Sequence, residues 1–180
     1  MVTLSIEEEV KKMIREVPNF PKEGINFYDI TTAIKDAETM KKIIDYFVEQ
    51  FKDEKIDYVA GIESRGFIFG MPVAYSLNCG FIPIRKPNKL PAATIGVDYG
   101  LEYGTDRIEI HADAIEKGKR VLVIDDLLAT GGTAAAACEL VKKTGGELVG
   151  VGFMIELEAL KGREKLPKDT RIVTMLKYKE

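Results

Sequence analysis

Short apolar runs alternate with helical segments over most of the chain, and this alternation constrains the fold more strongly than any other feature. The run RVLVI at 120–124 is too apolar for a strand with one face in water. Helical segments at 67–77 and 133–143 separate such runs from one another. Continuous apolar strands separated by helices indicate an α/β domain with a central, mainly parallel sheet flanked by helices. The predicted strands lie at 58–62, 81–84, 107–110, 120–124, 148–155 and 172–176.

The remaining segments predict two helices and two loops. A capping box at 5–8, Ser-Ile-Glu-Glu, should start the first helix. A second helix is predicted after Asp36, because apolar residues recur at i, i+3, i+4 and i+7 from Met40 onwards. The stretch 18–32 has no periodicity and 86–105 is rich in Pro, Gly and Lys, so both are predicted to be loops.

Length and composition indicate a single globular domain over 1–180. At 20.0 kDa the chain can bury one core, and it is 46% apolar with 31% charged residues. Its net charge of -3 argues against nucleic-acid binding, which needs a basic surface. Two cysteines, Cys79 and Cys138, cannot form a disulfide framework. We therefore expect reduced thiols and a cytoplasmic location.

One uncharged segment, 66–84, is long enough by count to cross a bilayer. Pro72, Pro83 and the turn-forming Asn78 interrupt it, so it is predicted to divide into a buried helix and a buried strand. We expect no membrane association.

The segment VLVIDDLLATGGT at 121–133 is the most informative part of the sequence. In an open parallel sheet, ligands bind beyond the carboxyl ends of the strands, and this end carries two carboxylates, Asp125 and Asp126. Adjacent carboxylates suit the vicinal hydroxyls of a ribose. The alternative is that the pair caps the next helix and the following glycines form a plain turn.

The glycine loop after the acidic pair is a candidate phosphate site. Its N–H groups can close around a phosphate, and the threonine hydroxyls and the helix dipole add to the attraction. A P-loop is excluded because Phe67 stands where that motif needs Lys, and no GxGxxG follows any strand. The candidate residues are Ala129, Thr130, Gly131, Gly132 and Thr133.

These residues resemble a known family. VLVIDDLLATGGT is similar to the signature of type I phosphoribosyltransferases, which use 5-phosphoribosyl-1-pyrophosphate (PRPP). Three further blocks resemble the adenine-specific members: NFPKEGINFYDIT at 19–31, GIESRGFIFG at 61–70, and IRKPNKLPAAT with GLEYG at 84–104. The resemblance implies a type I phosphoribosyltransferase-like fold, with an N-terminal base-binding hood at 1–33 and a flexible lid loop at 86–105.

By this resemblance the chain is an enzyme of purine salvage, which transfers the 5-phosphoribosyl group of PRPP to adenine and gives AMP and pyrophosphate. Mg²⁺ would be held through PRPP and water, with no protein side chain as a ligand. Arg65, beside Ser64, would bind pyrophosphate as a catalytic residue, although a surface arginine opening a helix is the alternative. Arg85, Lys86 and Lys89 form a basic cluster at the start of the lid, where a merely solvated loop is the alternative.

The remaining site residues also come from the resemblance. Glu102 would exchange a proton with the purine as a general acid-base, and Tyr103 would contact PRPP. Phe27 offers a stacking face for the base, although simple core packing is the alternative. The predicted adenine-binding residues are Asn26, Phe27, Tyr28 and Leu127.

The family also implies a homodimer. Backbone groups would distinguish adenine, so a phosphoribosyltransferase for hypoxanthine, guanine or xanthine stays open from the residues alone. A non-catalytic PRPP-sensing regulator is the second alternative, but it would need a DNA-binding module for which one domain leaves no residues. His111 and the two cysteines are interpreted as structural, because no catalytic partner stands at a recognisable spacing.

Overall fold

The structure is a computed structural model that describes residues 4–100 and 104–179. Within these residues the chain forms five α-helices, nine β-strands and two short 3-10 turns. The helices are α1 (Ile6–Lys12), α2 (Thr31–Ile34), α3 (Ala37–Phe51), α4 (Gly66–Ser76) and α5 (Gly132–Lys143). The strands are β1 (Arg15–Pro18), β2 (Asn26–Asp29), β3 (Tyr58–Ile62), β4 (Gly80–Ile84), β5 (Thr94–Gly100), β6 (Thr105–His111), β7 (Arg120–Leu128), β8 (Glu147–Leu157) and β9 (Arg171–Tyr178). The 3-10 turns are Glu158–Leu160 and Gly162–Lys165.

The chain groups into two compact units, Met1–Tyr46 and Phe47–Glu180. In the first unit the predicted capping box is present. The Ser5 hydroxyl accepts a hydrogen bond from the Glu8 N–H at 3.2 Å, and the Glu8 carboxylate accepts one from the Ser5 N–H at 2.8 Å. The first predicted helix is therefore confirmed as α1, while the single domain over 1–180 stays a prediction.

The predicted loop at 18–32 is partly wrong. β2 lies inside it and pairs antiparallel with β1, with Val17 opposite Phe27, and α2 begins at Thr31. A ribbon with four residues in each strand is too short to show a period in the sequence. Its strands form because each supplies the other's backbone hydrogen bonds, which no local pattern reveals.

A five-stranded parallel sheet in the order β4-β3-β7-β8-β9 forms the core of the second unit. Residues 121–124 of β7, at its centre, have no exposed surface. Elements that cover both faces of a parallel sheet produce such continuous apolar strands. The predicted fold class, a central parallel sheet flanked by helices, is confirmed.

Two glycines in β8 make room for α3. A Cβ atom at Gly152 would lie 3.2 Å from the Phe47 ring, and one at Gly150 would lie 3.2 Å from the Phe51 ring. Both rings are fully buried. The helix predicted after Asp36 is confirmed, and its last two turns pack closely on the sheet.

The uncharged segment 66–84 folds as α4 followed by β4, as predicted. Pro72 lies inside α4, and β4 occupies an edge of the sheet. Among the residues that the structure describes, no helix is both long enough and apolar enough to cross a membrane.

The predicted loop at 86–105 is also partly wrong, because it contains β5. This strand pairs antiparallel with β6, which runs from 105 to 111 where only 107–110 were predicted. Val97 is buried while Asp98 is exposed and Tyr99 half-buried, so the second half of the strand does alternate. Its glycines hide that alternation in the sequence, and the Arg107 guanidinium lies over one of them, 2.3 Å from where a Cβ at Gly96 would stand.

Candidate active site

The acidic pair lies within β7, which continues to Leu128 where the sequence predicted an end at Ile124. Asp125 is opposite Phe153 of β8, so pairing with β8 extends the strand past the apolar run. Gly66, the first residue of α4, packs directly on this part of β7. A Cβ at Gly66 would lie 2.8 Å from the Ile124 carbonyl oxygen and 3.0 Å from Asp125 Oδ1. The loop before α4 is thereby held next to the acidic pair.

This packing brings two predicted site residues into contact. The Arg65 Nε lies 2.5 Å from Asp126 Oδ2. The Asp126 side chain is 10% exposed and that of Arg65 is 44% exposed, so the carboxylate is buried and the guanidinium reaches solvent. The preceding residue, Ser64, is exposed. Arg65 and Asp126 are 61 positions apart in the sequence. Because β3 and β7 pair in parallel, both residues lie at the carboxyl end of the sheet.

The two carboxylates of the pair differ in environment. Asp125 Oδ1 accepts a hydrogen bond from the Asp126 N–H at 2.8 Å. Burial, and then the neighbouring Asp126 carboxylate, raise the pKa of Asp125 well above its usual range. The pair therefore holds negative charge at a cost to the folded state, which is typical of a site built for a ligand.

Replacing Asp125 by Asn should stabilise the folded protein. Because the pKa of Asp125 is higher folded than unfolded, the folded state binds more protons, and its stability falls as pH rises from the usual aspartate range through the raised pKa. Asn cannot ionise, so we expect the free energy of unfolding near neutral pH to increase by about 0.5 to 2 kcal/mol. Urea denaturation at pH 5 and pH 8 measures this.

The matched control is Asp57→Asn. Hydrogen bonds from the Arg120 N–H and the Lys119 side chain lower the pKa of Asp57, so its contribution to stability is present at neutral pH and lost in acid. This variant should be less stable at pH 8 than the unsubstituted protein, opposite in sign to Asp125→Asn. A destabilised Asp125→Asn at pH 8 would contradict the explanation.

The predicted glycine loop opens α5. Gly131, at the helix N-terminus, has a φ of +79°, in the left-handed region that favours glycine. The first turn of any α-helix leaves N–H groups without partners inside the helix, and Gly131 has no side chain to cap them. Thr130 is exposed and Thr133 is half-buried. This geometry is compatible with the predicted anion site, in which Ala129 and Gly132 stay predicted members.

The basic cluster is paired with carboxylates that sequence reasoning missed. Arg85 contacts Glu63 through Nε–Oε2 at 3.0 Å and Nη2–Oε1 at 3.4 Å, and also donates to the Lys89 carbonyl oxygen at 3.2 Å. The Lys86 Nζ forms an ion pair with Asp106. Its backbone N–H donates to Glu63 Oε2 at 3.0 Å. Two cations of the cluster are therefore held in place, unlike those of a merely solvated loop.

Glu63 and Asp106 are charged at neutral pH. Burial alone would raise the pKa of Glu63, but the hydrogen bonds from Arg85 and the Lys86 N–H outweigh it and lower that pKa. The hydrogen bond from Lys86 is the largest of the effects that lower the pKa of Asp106. Glu63 stands next to the predicted Ser64-Arg65 loop and could have been suspected from it. Asp106 carries no comparable signal.

The predicted adenine-binding residues lie on two strands. Asn26, Phe27 and Tyr28 are on β2 and half-buried, where the sequence predicted a loop. The Phe27 ring packs edge to face on Phe20 with centroids 5.2 Å apart, and the Asn26 amide donates to Glu16 at 3.2 Å. Leu127, on β7, is partly exposed. Two further predicted site residues, Glu102 and Tyr103, lie outside the described residues.

The two cysteines were interpreted as structural, and their thiols have raised pKa values. Burial raises the pKa of the Cys138 thiol to about 12, which leaves it unreactive. Burial also raises the pKa of Cys79. Within 4–100 and 104–179, no group of three or more His, Cys, Asp or Glu residues is placed to hold a metal ion.

Comparison with known proteins decides the family. The family model for the phosphoribosyl transferase domain matches residues 31–179. The adenine phosphoribosyltransferase of Trichodesmium erythraeum is 58% identical over 170 residues, which cover 94% of this chain and 99% of that protein. The chain belongs to the adenine phosphoribosyltransferase family. The predictions of family, enzyme class and a function in purine salvage are therefore confirmed.

Solved structures of adenine phosphoribosyltransferases share this fold. The enzyme from Thermoanaerobacter pseudethanolicus is 49% identical with a TM-score of 0.92, and the match covers 96% of this chain and 99% of that one. The Saccharomyces cerevisiae enzyme, solved in complex with adenine and an imino-altritol bisphosphate, is 43% identical with a TM-score of 0.90, covering 95% and 98%. Both likenesses extend over nearly the whole chain.

Proposed function

We propose that this chain binds PRPP at the carboxyl ends of the central strands β3 and β7, and that it transfers the phosphoribosyl group to adenine there. The observation that carries the proposal is the 2.5 Å contact between Arg65 and Asp126. A guanidinium suited to a pyrophosphate and a carboxylate suited to ribose hydroxyls stand side by side. PRPP carries both groups on neighbouring carbon atoms of one sugar.

PRPP has a second anion, the 5'-phosphate, at the other end of the ribose. We assign it to the loop Ala129–Thr133, because this loop follows the acidic pair directly on β7 and opens a helix. Asp125 and Asp126 then accept hydrogen bonds from the two ribose hydroxyls. A sugar held between the two anion sites explains why carboxylates stand where a phosphate alone would be repelled.

We place the leaving pyrophosphate at the basic cluster, because its cations can stabilise the negative charge that develops there. Arg85, Lys86 and Lys89 lie on the segment that joins β4 to β5, and carboxylates hold two of their charges in position. A pyrophosphate carries more charge than the Asp106 carboxylate, so we propose that Lys86 exchanges Asp106 for a pyrophosphate oxygen. Arg65 and Ser64 bind the same group from the β3 side.

The reaction breaks the bond from C1' to pyrophosphate and forms a bond from C1' to a purine nitrogen. Positive charge develops on the ribose and negative charge on the leaving group, so the protein acts mainly by electrostatics. Mg²⁺, when bound with PRPP, would neutralise part of the pyrophosphate charge. The negative charge of Asp125 and Asp126 would attract such an ion with its water shell, and we assign no protein side chain as its ligand. Glu102 takes the proton that the purine nitrogen loses.

The base and the assembly complete the proposal. We propose that Phe27 offers adenine a stacking face and Leu127 an apolar one, and that backbone groups of Asn26 and Tyr28 recognise its edge. The relatives' substrate supports adenine, since more than half of the residues are identical.

We also propose a homodimer, which sedimentation at assay concentration tests, and a cytoplasmic location, which fits the two free thiols.

A panel of bases tests the function. With PRPP and Mg²⁺, adenine should release pyrophosphate and form AMP, while hypoxanthine, guanine and xanthine should react at least about 100-fold more slowly, because their edges leave the recognising groups unpaired. Chelation of Mg²⁺ should abolish the reaction, and added Mg²⁺ should restore it. Equal turnover of hypoxanthine would overturn the adenine assignment. PRPP binding without turnover of any base would favour a sensor.

A further inference from the structure

The 3-10 turn Gly162–Lys165 packs directly on the glycine loop. A Cβ atom at Gly162 would lie 2.3 Å from the Ala129 carbonyl oxygen and 3.0 Å from the Gly131 nitrogen. A Cβ at Gly131 would lie 2.2 Å from the Gly162 carbonyl oxygen. The two backbones meet with no room for a side chain on either, so a shift of the turn must shift the loop.

An ion pair between a buried carboxylate and a partly exposed arginine fixes the position of this turn. The Arg163 guanidinium contacts both oxygens of Glu156, through Nε–Oε1 at 2.5 Å and Nη2–Oε2 at 2.7 Å. Thr174 on β9 joins them: its hydroxyl donates to Glu156 Oε2 at 3.0 Å and accepts from Arg163 Nη2 at 3.1 Å. Each of these three side chains therefore forms a hydrogen bond with the other two.

Glu156 connects the turn to the strand that carries the loop. It lies on β8, directly opposite Leu128, which is the last residue of β7 before the glycine loop. Glu156 is 4% exposed, and sequence analysis gave no sign of it. A two-point contact with a planar guanidinium fixes orientation as well as distance. The pair thus sets how Gly162 sits against the loop.

Burying the Glu156 carboxylate costs solvation free energy that an ion pair only partly returns, so its use here calls for a reason other than stability. We propose that Glu156 and Arg163 are positioning residues, which hold the loop Ala129–Thr133 in the geometry that binds the 5'-phosphate. This inference rests on the proposed assignment of the 5'-phosphate to that loop.

The test separates the two anion sites by using two ligands. Calorimetric titration with ribose 5-phosphate reports on the glycine loop, and titration with pyrophosphate reports on the Arg65 site. In Arg163→Met, we expect the affinity for ribose 5-phosphate to fall by up to about 100-fold, because a displacement near 1 Å has effects of that size. The affinity for pyrophosphate should stay unchanged. In the full reaction, KM for PRPP should rise more than kcat falls.

Two companion variants guard against a general loss of folding. Arg163→Lys keeps the charge but not the two-point contact, so we expect an intermediate loss of ribose 5-phosphate affinity in a folded protein. The control is Arg171→Met on β9, where the arginine forms an ion pair with Glu54 at 3.3 Å and is similarly exposed. Arg171 lies at the start of β9, so this variant should keep its affinity for both ligands.

The outcomes separate this inference from the function on which it rests. Thr130→Asp places a carboxylate on the exposed part of the loop; if it leaves ribose 5-phosphate binding unchanged, the phosphate assignment itself is wrong. If Thr130→Asp weakens binding but both Arg163→Met and Arg163→Lys bind ribose 5-phosphate normally, the positioning inference is overturned. Equal losses for ribose 5-phosphate and pyrophosphate in Arg163→Lys would also overturn it, since they would indicate a general structural role.

Discussion

Replacing both Asp125 and Asp126 by Asn should lower kcat/KM for PRPP by about 100- to 10,000-fold. Each carboxylate is proposed to accept a charge-assisted hydrogen bond from a ribose hydroxyl, and such a bond contributes about 1.5 to 3 kcal/mol. Two bonds therefore correspond to about two to four orders of magnitude. The loss should be visible in PRPP affinity by equilibrium titration and in steady-state kinetics. The fold should persist, because Asp125 strains the folded state and does not support it.

The control for this variant changes the net charge equally at positions away from the site. Asp53 and Asp113 are both exposed, so Asp53→Asn with Asp113→Asn makes the same change in net charge and leaves the carboxyl ends of β3 and β7 intact. We expect its kinetics to match those of the unsubstituted enzyme. Normal PRPP kinetics in the Asp125, Asp126 variant would show that the ribose hydroxyls are bound elsewhere.

The parallel sheet was predictable because its signal is local. Each central strand is covered on both faces, so its residues are apolar without a break, as in 121–124 and 58–62. α3 shows an equally clear period, because one face of that helix meets the core. The capping box of α1 lies within four residues. In each case, one short window of sequence contains the whole physical cause.

The two antiparallel ribbons were not predictable in the same way. β2 is half-buried along its length, so it has neither an apolar run nor a clear alternation. β5 contains Gly96, over which the Arg107 guanidinium of β6 lies, and the glycine looks like a loop signal in the sequence. The continuation of β7 beyond Ile124 also depends on a strand from another part of the chain. Charged residues occupy a strand there because β8 pairs with them.

The site divides along the same line. Asp125, Asp126 and the glycine loop form one continuous motif, so their position at a strand end followed from the sequence. The ion pairs did not follow in the same way: Arg65 and Asp126 lie 61 positions apart, and Arg163 and Glu156, although close in sequence, lie on a turn and a strand whose packing is set elsewhere. Opposite charges meet at each of these contacts. A chain with 26 basic and 29 acidic residues offers too many possible pairs for composition to select the right ones.

Glu102→Gln should lower kcat by about 100- to 10,000-fold while leaving the Kd for PRPP nearly unchanged. The proposed role of this carboxylate is to take the purine proton in the transition state, and general acid-base catalysis contributes that much. Because the contact forms only when the base reacts, its loss affects the chemical step and not PRPP binding. Single-turnover kinetics together with equilibrium PRPP titration measure the two quantities separately.

A residue that only closes over the substrate would behave differently. It would act by retaining pyrophosphate, so its loss would raise KM for PRPP and weaken equilibrium binding. Asp98→Asn is a suitable control, since Asp98 is an exposed carboxylate on β5 that forms an ion pair with Arg107 at 3.1 Å. This variant removes a negative charge four positions earlier in the chain, and we expect its kcat to be unaffected. An unchanged kcat in Glu102→Gln would mean that the purine loses its proton to water, with the negative charge of the substrate's own pyrophosphate assisting.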